Sequence, residues 1–423
     1  MKGMWSLLLC LCAVAAPVAG VAAETAPDPV ETLMREARLT GLALAVVHDG
    51  KVTELKAYGL RDVERNLPLT PDTTMYAASL TKGAFAYAVM GLVQDGRLDL
   101  DRPIAEYLPR PLPEYEKYAD LAGDERWRLL TARMLLAHTA GFPNFRFFTP
   151  QGYDEHAKLA FAFDPGSRFA YSGEGINLLQ FVIEHGLGVD VGTLMQEQVF
   201  DRFGMHASGM TWRGAFAAEL AQGYDEAGES LGHKQRGAVR AAGSMDTTLR
   251  DFAAFLAGLS RNAGLDAGTR GELFGAQVRI DSIQQFPTLS TETTTDNAAI
   301  ELAYGLGWSV YRTPEGRAFF KGGHDDGTRN IAVCVRDGRD CLLLMSNSSN
   351  ADSIFPYLIE YKLGPVCFPW YWQGYLPYDH PELRAPDANA QPHPPCTGWP
   401  LPAKVAPADL PSAPGHTRTS RAS

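Results

Sequence analysis

Hydrophobic and polar positions divide the chain into two β regions with a helical region between them. Residues 42–60 alternate around an Asp49-Gly50 turn, which is typical of a β-hairpin. Across 95–300, several segments have apolar positions three and four apart and end on glycine, which indicates helices. From residue 304 short strand-like runs return, with turns at PEG and DG. This last region therefore predicts an antiparallel meander.

The two β regions are expected to join in one antiparallel sheet. After the last strand, DSIFPYLIEYKL predicts a helix that covers this sheet. We therefore expect an α/β domain over residues 24–380. Its sheet part is formed by about 28–78 and 303–365, and about 79–302 form an inserted helical lobe.

The two ends of the chain differ from this domain. Residues 1–23 combine one lysine, an apolar core and small residues near Val21 and Ala23, a pattern typical of a cleavable signal peptide. Residues 381–423 are rich in proline and alanine, which predicts a disordered tail. No other segment approaches the roughly 20 apolar residues that span a bilayer. We expect a periplasmic or secreted protein without stable membrane insertion.

Composition narrows the classes of function. A 45% hydrophobic fraction with 21% charged residues is ordinary for a globular protein. The net charge of -11 and the lack of a basic stripe argue against a nucleic-acid partner. The sequence has no HExxH zinc motif, GxSxG elbow or Gly-rich nucleotide loop. We expect neither a metal nor another cofactor.

The cysteines indicate an oxidising compartment. Four lie beyond the predicted signal peptide, an even number. In IAVCVRDGRDCLLL the Asp-Gly turn sets Cys334 opposite Cys341, which predicts a cross-strand disulfide. Cys367 and Cys396 form the second predicted pair by elimination.

Ser79 and Lys82 are the first candidates for chemistry. They lie three apart in SLTK at the start of a predicted helix, so they share one helix face. One interpretation is a helix-capping serine with a solvated lysine. The other is a nucleophile with its base, because the apolar surroundings would lower the lysine pKa and let it accept the serine proton. This motif alone leaves both interpretations open.

Two further motifs carry a tyrosine and a lysine. Tyr171 precedes a small-residue turn that leads into a helix, and by itself it is typical of a core aromatic. Lys321 precedes Gly322 and Gly323, which let another backbone or a substrate come close. A strand end followed by a tight turn would explain the Lys321 motif equally well.

Taken together and in order, the three motifs resemble those of the serine β-lactamase and penicillin-binding-protein superfamily. They are SLTK at Ser79, YSG at Tyr171 and KGG at Lys321. The resemblance is closest to the branch of class C β-lactamases, D-alanyl-D-alanine carboxypeptidases and esterases, and it covers roughly residues 28–365. It implies a β-lactamase/transpeptidase-like fold with the active site between the sheet and the helical lobe.

The resemblance also implies roles for individual residues. Ser79 would attack a carbonyl and become acylated. Lys82 would be the base, or would assist Tyr171 as the base, and the tyrosine would carry the proton to the leaving group. Lys321 would lower the tyrosine pKa and attract a substrate carboxylate. The backbone N–H groups of Ser79 and His324 would form the oxyanion hole.

Two positions depart from the pattern of the superfamily. Gly173 stands where β-lactamases have asparagine, and Gly322 stands where threonine is usual. Each change removes a hydrogen-bond donor to a β-lactam, at about 1 to 3 kcal/mol each. Asn347 falls where some relatives place an asparagine near the substrate carboxylate, although a strand-end turn explains it equally well. With Gly323 and His324, these residues form the predicted substrate-binding set.

The sequence therefore predicts an exported serine hydrolase that forms an acyl-enzyme on Ser79. The expected substrate is an ester or a D-amino-acid amide or peptide, with cell-wall fragments as further ligands. One alternative is a class C-like β-lactamase. The other is a catalytically weak sensor of the same fold that binds peptidoglycan or peptides.

Overall fold

The computed structural model describes residues 28–149, 151–384 and 393–405. The predicted signal peptide lies outside these residues. The helices are α1 Pro29–Ala37, α2 Leu80–Gln94, α3 Ala132–Leu136, α4 Gly173–Gly186, α5 Val191–Met195, α6 Leu249–Ser260, α7 Ala267–Phe274, α8 Phe355–Leu363 and α9 Trp370–Gln373. The strands are β1 Gly41–His48, β2 Lys51–Asp62, β3 Leu67–Pro68, β4 Met75–Tyr76, β5 Phe148–Thr149, β6 Gly152–Tyr153, β7 Gly223–Tyr224, β8 Ser230–Gly232, β9 Asp246–Thr247, β10 Val278–Arg279, β11 Ala303–Tyr304, β12 Ser309–Thr313, β13 Gly316–Asp325, β14 Thr328–Val335 and β15 Asp340–Ser346.

One antiparallel sheet joins the two ends of the domain, as predicted. Within the described residues it has nine strands in the order β10-β11-β12-β13-β14-β15-β1-β2-β3. Strand β1 lies between β15 and β2, with Leu42 opposite both Ser346 and Tyr58. Strand β13 lies well inside the sheet, between β12 and β14. The predicted architecture of one antiparallel sheet with an inserted helical lobe is confirmed.

The sheet is covered on both faces, which explains why β1 is apolar almost throughout. Ala43 and Ala45 pack in the core shared with the helical lobe. Leu42 and Leu44 pack in a second core with α1 and α8. Strands buried on both faces are continuously apolar. The alternation predicted for the first hairpin therefore does not describe its first strand.

The inserted lobe contains α2 to α7, but it is less helical than the sequence pattern indicates. The segment RWRLLTARMLLAHTAG forms only α3 and a short 3-10 turn at Glu125–Leu129. Leu130 between them is extended, and its carbonyl accepts a hydrogen bond from the Ile104 backbone. Thr131 then caps α3 through the Met134 backbone N–H. Tertiary pairing has divided a segment that its periodicity predicts as one helix.

Both predicted disulfides, Cys334–Cys341 and Cys367–Cys396, are present. For residues 393–405 the second corrects the prediction of a disordered tail, because it ties them to the domain; the rest of that predicted tail, 385–392 and 406–423, lies outside the described residues. In this stretch Val405 is buried and the Trp399 ring lies 4.9 Å from the ring of Trp370. Across the described residues, no helix combines the length and apolar character needed to cross a membrane.

Candidate active site

Ser79 and Lys82 are in direct contact at the start of α2. Lys82 Nζ donates to Ser79 Oγ at 2.9 Å and to the backbone oxygen of Ala242 at 2.5 Å. The Ser79 side chain makes no capping hydrogen bond to the helix, and Lys82 is only 1% exposed. The interpretation as a capping serine with a solvated lysine is therefore wrong.

The backbone before Ser79 has an unusual conformation. Ala78 has a φ of 48°, in the left-handed region that residues with a Cβ seldom occupy. Its carbonyl accepts a 2.6 Å hydrogen bond from Thr81 Oγ1 inside the first turn of α2. Strain of this kind is retained where the surrounding structure demands it, commonly at functional sites. Here it accompanies the half-buried Ser79 at the edge of a cleft.

Tyr171 and Lys321 form a second buried pair beside the first. Lys321 Nζ donates to Tyr171 Oη at 3.0 Å and to the Gly322 backbone oxygen at 3.0 Å. Both side chains are 3% exposed. Lys321 does not end its strand, since β13 continues to Asp325. Both lysines lie close to the phenol ring of Tyr171. Lys82 Nζ is 5.0 Å and Lys321 Nζ is 4.8 Å from the ring centroid.

Burial sets the protonation of these groups. Burial, followed by the charge of Lys321, holds the pKa of Lys82 well below its usual value. Burial also lowers the pKa of Lys321 to about 7. For Tyr171, burial raises the pKa and outweighs the lowering effect of its hydrogen bond with Ser79. The expected lowering of the tyrosine pKa by Lys321 is not found, so Lys82 is the better base in the free protein.

His138 supports this site and was not identified from the sequence. Its Nδ1 accepts from the Ser172 backbone N–H at 3.1 Å, so the neutral ring carries its proton on Nε2, 3.1 Å from Tyr304 Oη. Burial lowers the pKa of His138 well below its usual value. The ring lies 4.4 Å from that of Tyr171. The phrase LLAHTAG was the available signal, although nothing in it indicated a contact with Tyr171.

Strand β13 passes close to the backbone of the nucleophile. A Cβ on Gly323 would lie 2.7 Å from the Ala77 backbone oxygen and 3.0 Å from the Ser79 backbone nitrogen. Only glycine permits so close an approach. His324, the next residue, lines the same cleft as Ser79. The two residues predicted to form the oxyanion hole therefore border one space.

Other side chains fill the space beside each of the two glycines that depart from the superfamily pattern. A Cβ on Gly173 would lie 2.5 Å from Phe145 Cε1, and a Cβ on Gly322 would lie 2.7 Å from Gln373 Nε2. Gln373 in turn donates to Gln285 Oε1 at 3.1 Å. The sequence could not identify Phe145 or Gln373, because neither belongs to a recognisable motif.

Asn347 is separate from the Ser79 cleft. Its Nδ2 donates to the backbone oxygens of Leu60 at 3.1 Å and Gln222 at 2.9 Å. It is 3% exposed and does not line the cleft that contains Ser79. The strand-end interpretation describes it better than substrate binding.

The cleft beside Ser79 has a volume of about 670 Å³. Its walls combine aromatic and basic side chains with a run of backbone from the segment before β9. The side chains are Tyr76, Ser79, Phe145, Phe147, Phe148, Tyr153, Asn177, Lys234, Arg236, Arg240, Ser244, His324 and Asp325. The partly exposed Ser79 hydroxyl accepts a hydrogen bond from the buried Lys82 at the edge of this cleft. Such a hydroxyl can support nucleophilic attack on a carbonyl group.

The fold and this cluster place the protein in the class of β-lactamase-like proteins. The Beta-lactamase family model matches residues 28–362, most of the chain. The chain therefore belongs to the Beta-lactamase family. Membership supports a hydrolase or acyl-transferase type of enzyme.

Two curated relatives show the range of activities in this family. The chain is 28% identical over 215 residues to a β-lactamase from Pseudomonas fluorescens, covering 49% of this chain and 56% of that protein. It is 31% identical over 197 residues to the esterase EstB from Burkholderia gladioli, covering 42% of this chain and 48% of that protein. The matches thus span about half the length of these relatives.

Solved structures share the fold at lower identity. A penicillin-binding protein homologue from Pyrococcus abyssi has a TM-score of 0.63 at 22% identity, covering 79% of this chain and 76% of that chain. The D-alanine carboxypeptidase AmpC from Burkholderia cenocepacia has a TM-score of 0.58 at 20% identity, covering 76% of this chain and 92% of that chain. These two likenesses concern the fold alone.

Proposed function

We propose that the protein is a serine hydrolase that forms an acyl-enzyme on Ser79 with an ester or with a D-amino-acid amide or peptide. The observation that carries the proposal is the 2.9 Å contact between Ser79 Oγ and Lys82 Nζ. Because the pKa of that lysine is held low by burial and by Lys321, its neutral form is available to accept a proton.

The proposed reaction moves one proton around the cluster. Lys82 takes the Ser79 proton as Oγ attacks the carbonyl, and the backbone N–H groups of Ser79 and His324 bind the developing oxyanion. Tyr171, a neutral phenol, gives its proton to the leaving group and recovers one from protonated Lys82. Water then attacks the acyl-enzyme with the same groups acting in reverse, which releases the acid and restores Ser79.

An ester or D-amino-acid substrate fits the site better than a β-lactam. The residue at 173 has no side-chain amide, and Phe145 fills the space beside it. A buried polar group of a substrate that finds no partner there costs binding free energy. The similarity to a Pseudomonas fluorescens β-lactamase keeps β-lactam hydrolysis as the second candidate.

We also propose that the protein works outside the cytoplasm, in the periplasm or in the medium. Two disulfides support this proposal, because such bonds persist in oxidising compartments.

The test exposes the mature protein to a fluorophosphonate probe, to penicillin and to a panel of short-chain p-nitrophenyl esters. Mass spectrometry then identifies the labelled peptide. We expect the label on Ser79 and ester turnover that exceeds β-lactam turnover. Ser79→Ala should lose both label and turnover while circular dichroism shows an intact fold. Label on another residue, or unchanged turnover in Ser79→Ala, would remove Ser79 as nucleophile. A stable acyl group without turnover would identify a sensor.

A further inference from the structure

One wall of the Ser79 cleft is basic although the chain as a whole is acidic. The segment KQRGAVR, residues 234–240, places Lys234, Arg236 and Arg240 on this wall, whereas the whole chain has a net charge of -11. Among the described residues that line the cleft, Asp325 is the single carboxylate. His324 is uncharged at neutral pH, because loss of water around the ring and nearby cations lower its pKa to about 4. We name Lys234, Arg236 and Arg240 the cationic rim.

Arg236 is held in position by its surroundings. Its Cζ lies 3.2 Å from the ring centroid of Tyr76, and Nη1 donates to the Lys234 backbone oxygen at 3.0 Å. Nη1 also lies 3.7 Å from Oδ1 of the fully buried Asp246. His233 Nε2 is 3.2 Å from the same oxygen. The segment is therefore anchored through buried charge, and its cations have a fixed location.

The same segment is tied to the catalytic cluster. Tyr76, which stacks on Arg236, donates from Oη to the Gly243 backbone oxygen at 2.7 Å. Lys82 Nζ donates to the neighbouring Ala242 backbone oxygen. The rim is thus linked to Ser79 through Tyr76, Lys82 and the backbone of residues 242–243, which suits a group that orients substrate.

The rim retains unneutralised positive charge. Asp246 and Asp325 offset part of it, since Asp325 lies 3.4 Å from Lys234 Nζ and 4.0 Å from Arg236 Nη2. Arg240 is exposed and forms no ion pair within the part of the chain that the structure describes. Its guanidinium can bind a carboxylate with two parallel hydrogen bonds.

The cleft suits the acyl part of a substrate. Tyr171, which protonates the leaving group in the proposed reaction, and its hydrogen-bond donor Lys321 do not line it. The cleft is also lined by aromatic rings, with Phe145, Phe147 and Tyr153 available to cover an apolar chain. An acyl chain that starts at Ser79 and ends in an anion would therefore meet complementary surfaces along its length.

We propose that the substrate is an ester or amide whose acyl chain ends in a carboxylate, which the cationic rim binds. This inference rests on the proposed function and specifies its substrate class.

The test compares p-nitrophenyl glutarate with p-nitrophenyl pentanoate, whose acyl chains have equal length and differ in the terminal carboxylate. We expect kcat/KM to favour glutarate at low ionic strength. In Lys234→Ala/Arg240→Ala the glutarate-to-pentanoate ratio should fall about tenfold, because two cations near the carboxylate are lost. Raising NaCl from about 20 mM to about 0.5 M should lower the wild-type ratio in the same direction.

Lys51→Ala is the matched control, since Lys51 is exposed in β2 and lies outside the cleft. It should leave the ratio unchanged. Arg236→Lys keeps the charge that faces Asp246, so it tests Arg236 without leaving a buried carboxylate alone. A ratio that is unaltered in the double variant would overturn the cationic rim while leaving the esterase proposal in place. If the wild-type protein turned over none of the esters, that result would overturn the proposed function instead.

Discussion

The site holds two sets of basic side chains that differ in their access to water. Lys82 and Lys321 are buried, and within the described residues neither forms an ion pair with a carboxylate. The cationic rim lies a short distance away at the cleft wall, where Lys234 and Arg236 are partly neutralised by carboxylates. Burial lowers the pKa of the inner lysines, whereas Lys234 and Arg240 of the rim are exposed.

This difference shows that hydration decides what a basic side chain can do. A buried lysine without a carboxylate partner loses its proton readily and can exchange one with a substrate. A solvent-exposed cation can attract or orient an anion without taking part in bond breaking. The predictions below alter one set or the other.

Lys82→Met should have the largest effect. We expect kcat for p-nitrophenyl esters to fall by a factor on the order of 10³ or more, because Ser79 loses its base. The same variant should have a higher Tm at neutral pH, because a lysine whose pKa is lowered by burial binds fewer protons in the folded than in the unfolded chain, which costs stability. Steady-state kinetics measure the change in kcat, and thermal unfolding measures the change in Tm. Lys51→Ala should change neither quantity. Retained turnover would show that Lys82 is not the base.

The inner lysines should also make stability depend on pH. The folded-state pKa of Lys321 is about 7 and its usual value is 10.5. Between these values the unfolded chain binds more protons, so the free energy of unfolding should rise with pH in this window. Lys321→Met should flatten the rise measured by denaturant titration.

Lys321→Met should lower kcat/KM by roughly 10²-fold, because Tyr171 loses its hydrogen-bond donor. The charge of Lys321 lowers the pKa of Lys82, so its removal should raise that pKa. Lys82 then needs a higher pH to become neutral, and the acid limb of the kcat/KM profile should move to higher pH. A limb that stays in place would mean that the two ammonium groups are not coupled.

Phe145 fills the space beside Gly173, so changing both residues should alter substrate preference. Gly173→Asn alone should lose stability, because its Cβ would meet the Phe145 ring at 2.5 Å. Phe145→Ala/Gly173→Asn removes the ring that the new Cβ would meet, and we expect the ratio of nitrocefin to ester turnover to rise about tenfold. Phe145→Ala is the control. An equal rise in both activities would show that position 173 does not select substrates.

Asp325→Asn should have the smallest effect and should act on the rim alone. Removing this carboxylate frees Lys234 and Arg236 from their partner. The glutarate-to-pentanoate ratio should rise by about two- to threefold at low salt and return toward the wild-type value at high salt. A fall in the ratio would indicate that Asp325 binds the substrate.

Much of the fold was predictable because the strands and several helices carry clear local patterns. The Asp-Gly turn set Cys334 opposite Cys341, and the structure has that register. The segment around Leu130 was mispredicted because its hydrogen bond to Ile104 is a tertiary contact, which periodicity does not contain. The packed stretch near Val405 was missed for a similar reason, since its composition resembles a linker and its order depends on a disulfide and on distant tryptophans.

For the site, the ordered motifs located the residues that meet around Ser79, but not what surrounds them. Phe145 and Gln373 fill the spaces beside Gly173 and Gly322, and neither stands at a spacing that marks chemistry. The raised pKa of Tyr171 was also unpredictable, because it depends on how completely the phenol is buried.

The pairing of β1 with β15 has a consequence for how the chain is made. These neighbours in the centre of the sheet come from opposite ends of the domain. During synthesis, the apolar strand β1 emerges early and its partner β15 emerges late. Until then, one edge of β1 is unpaired and can associate with other chains. We expect slow refolding governed by this distant encounter, and aggregation of chains that stop short of residue 340.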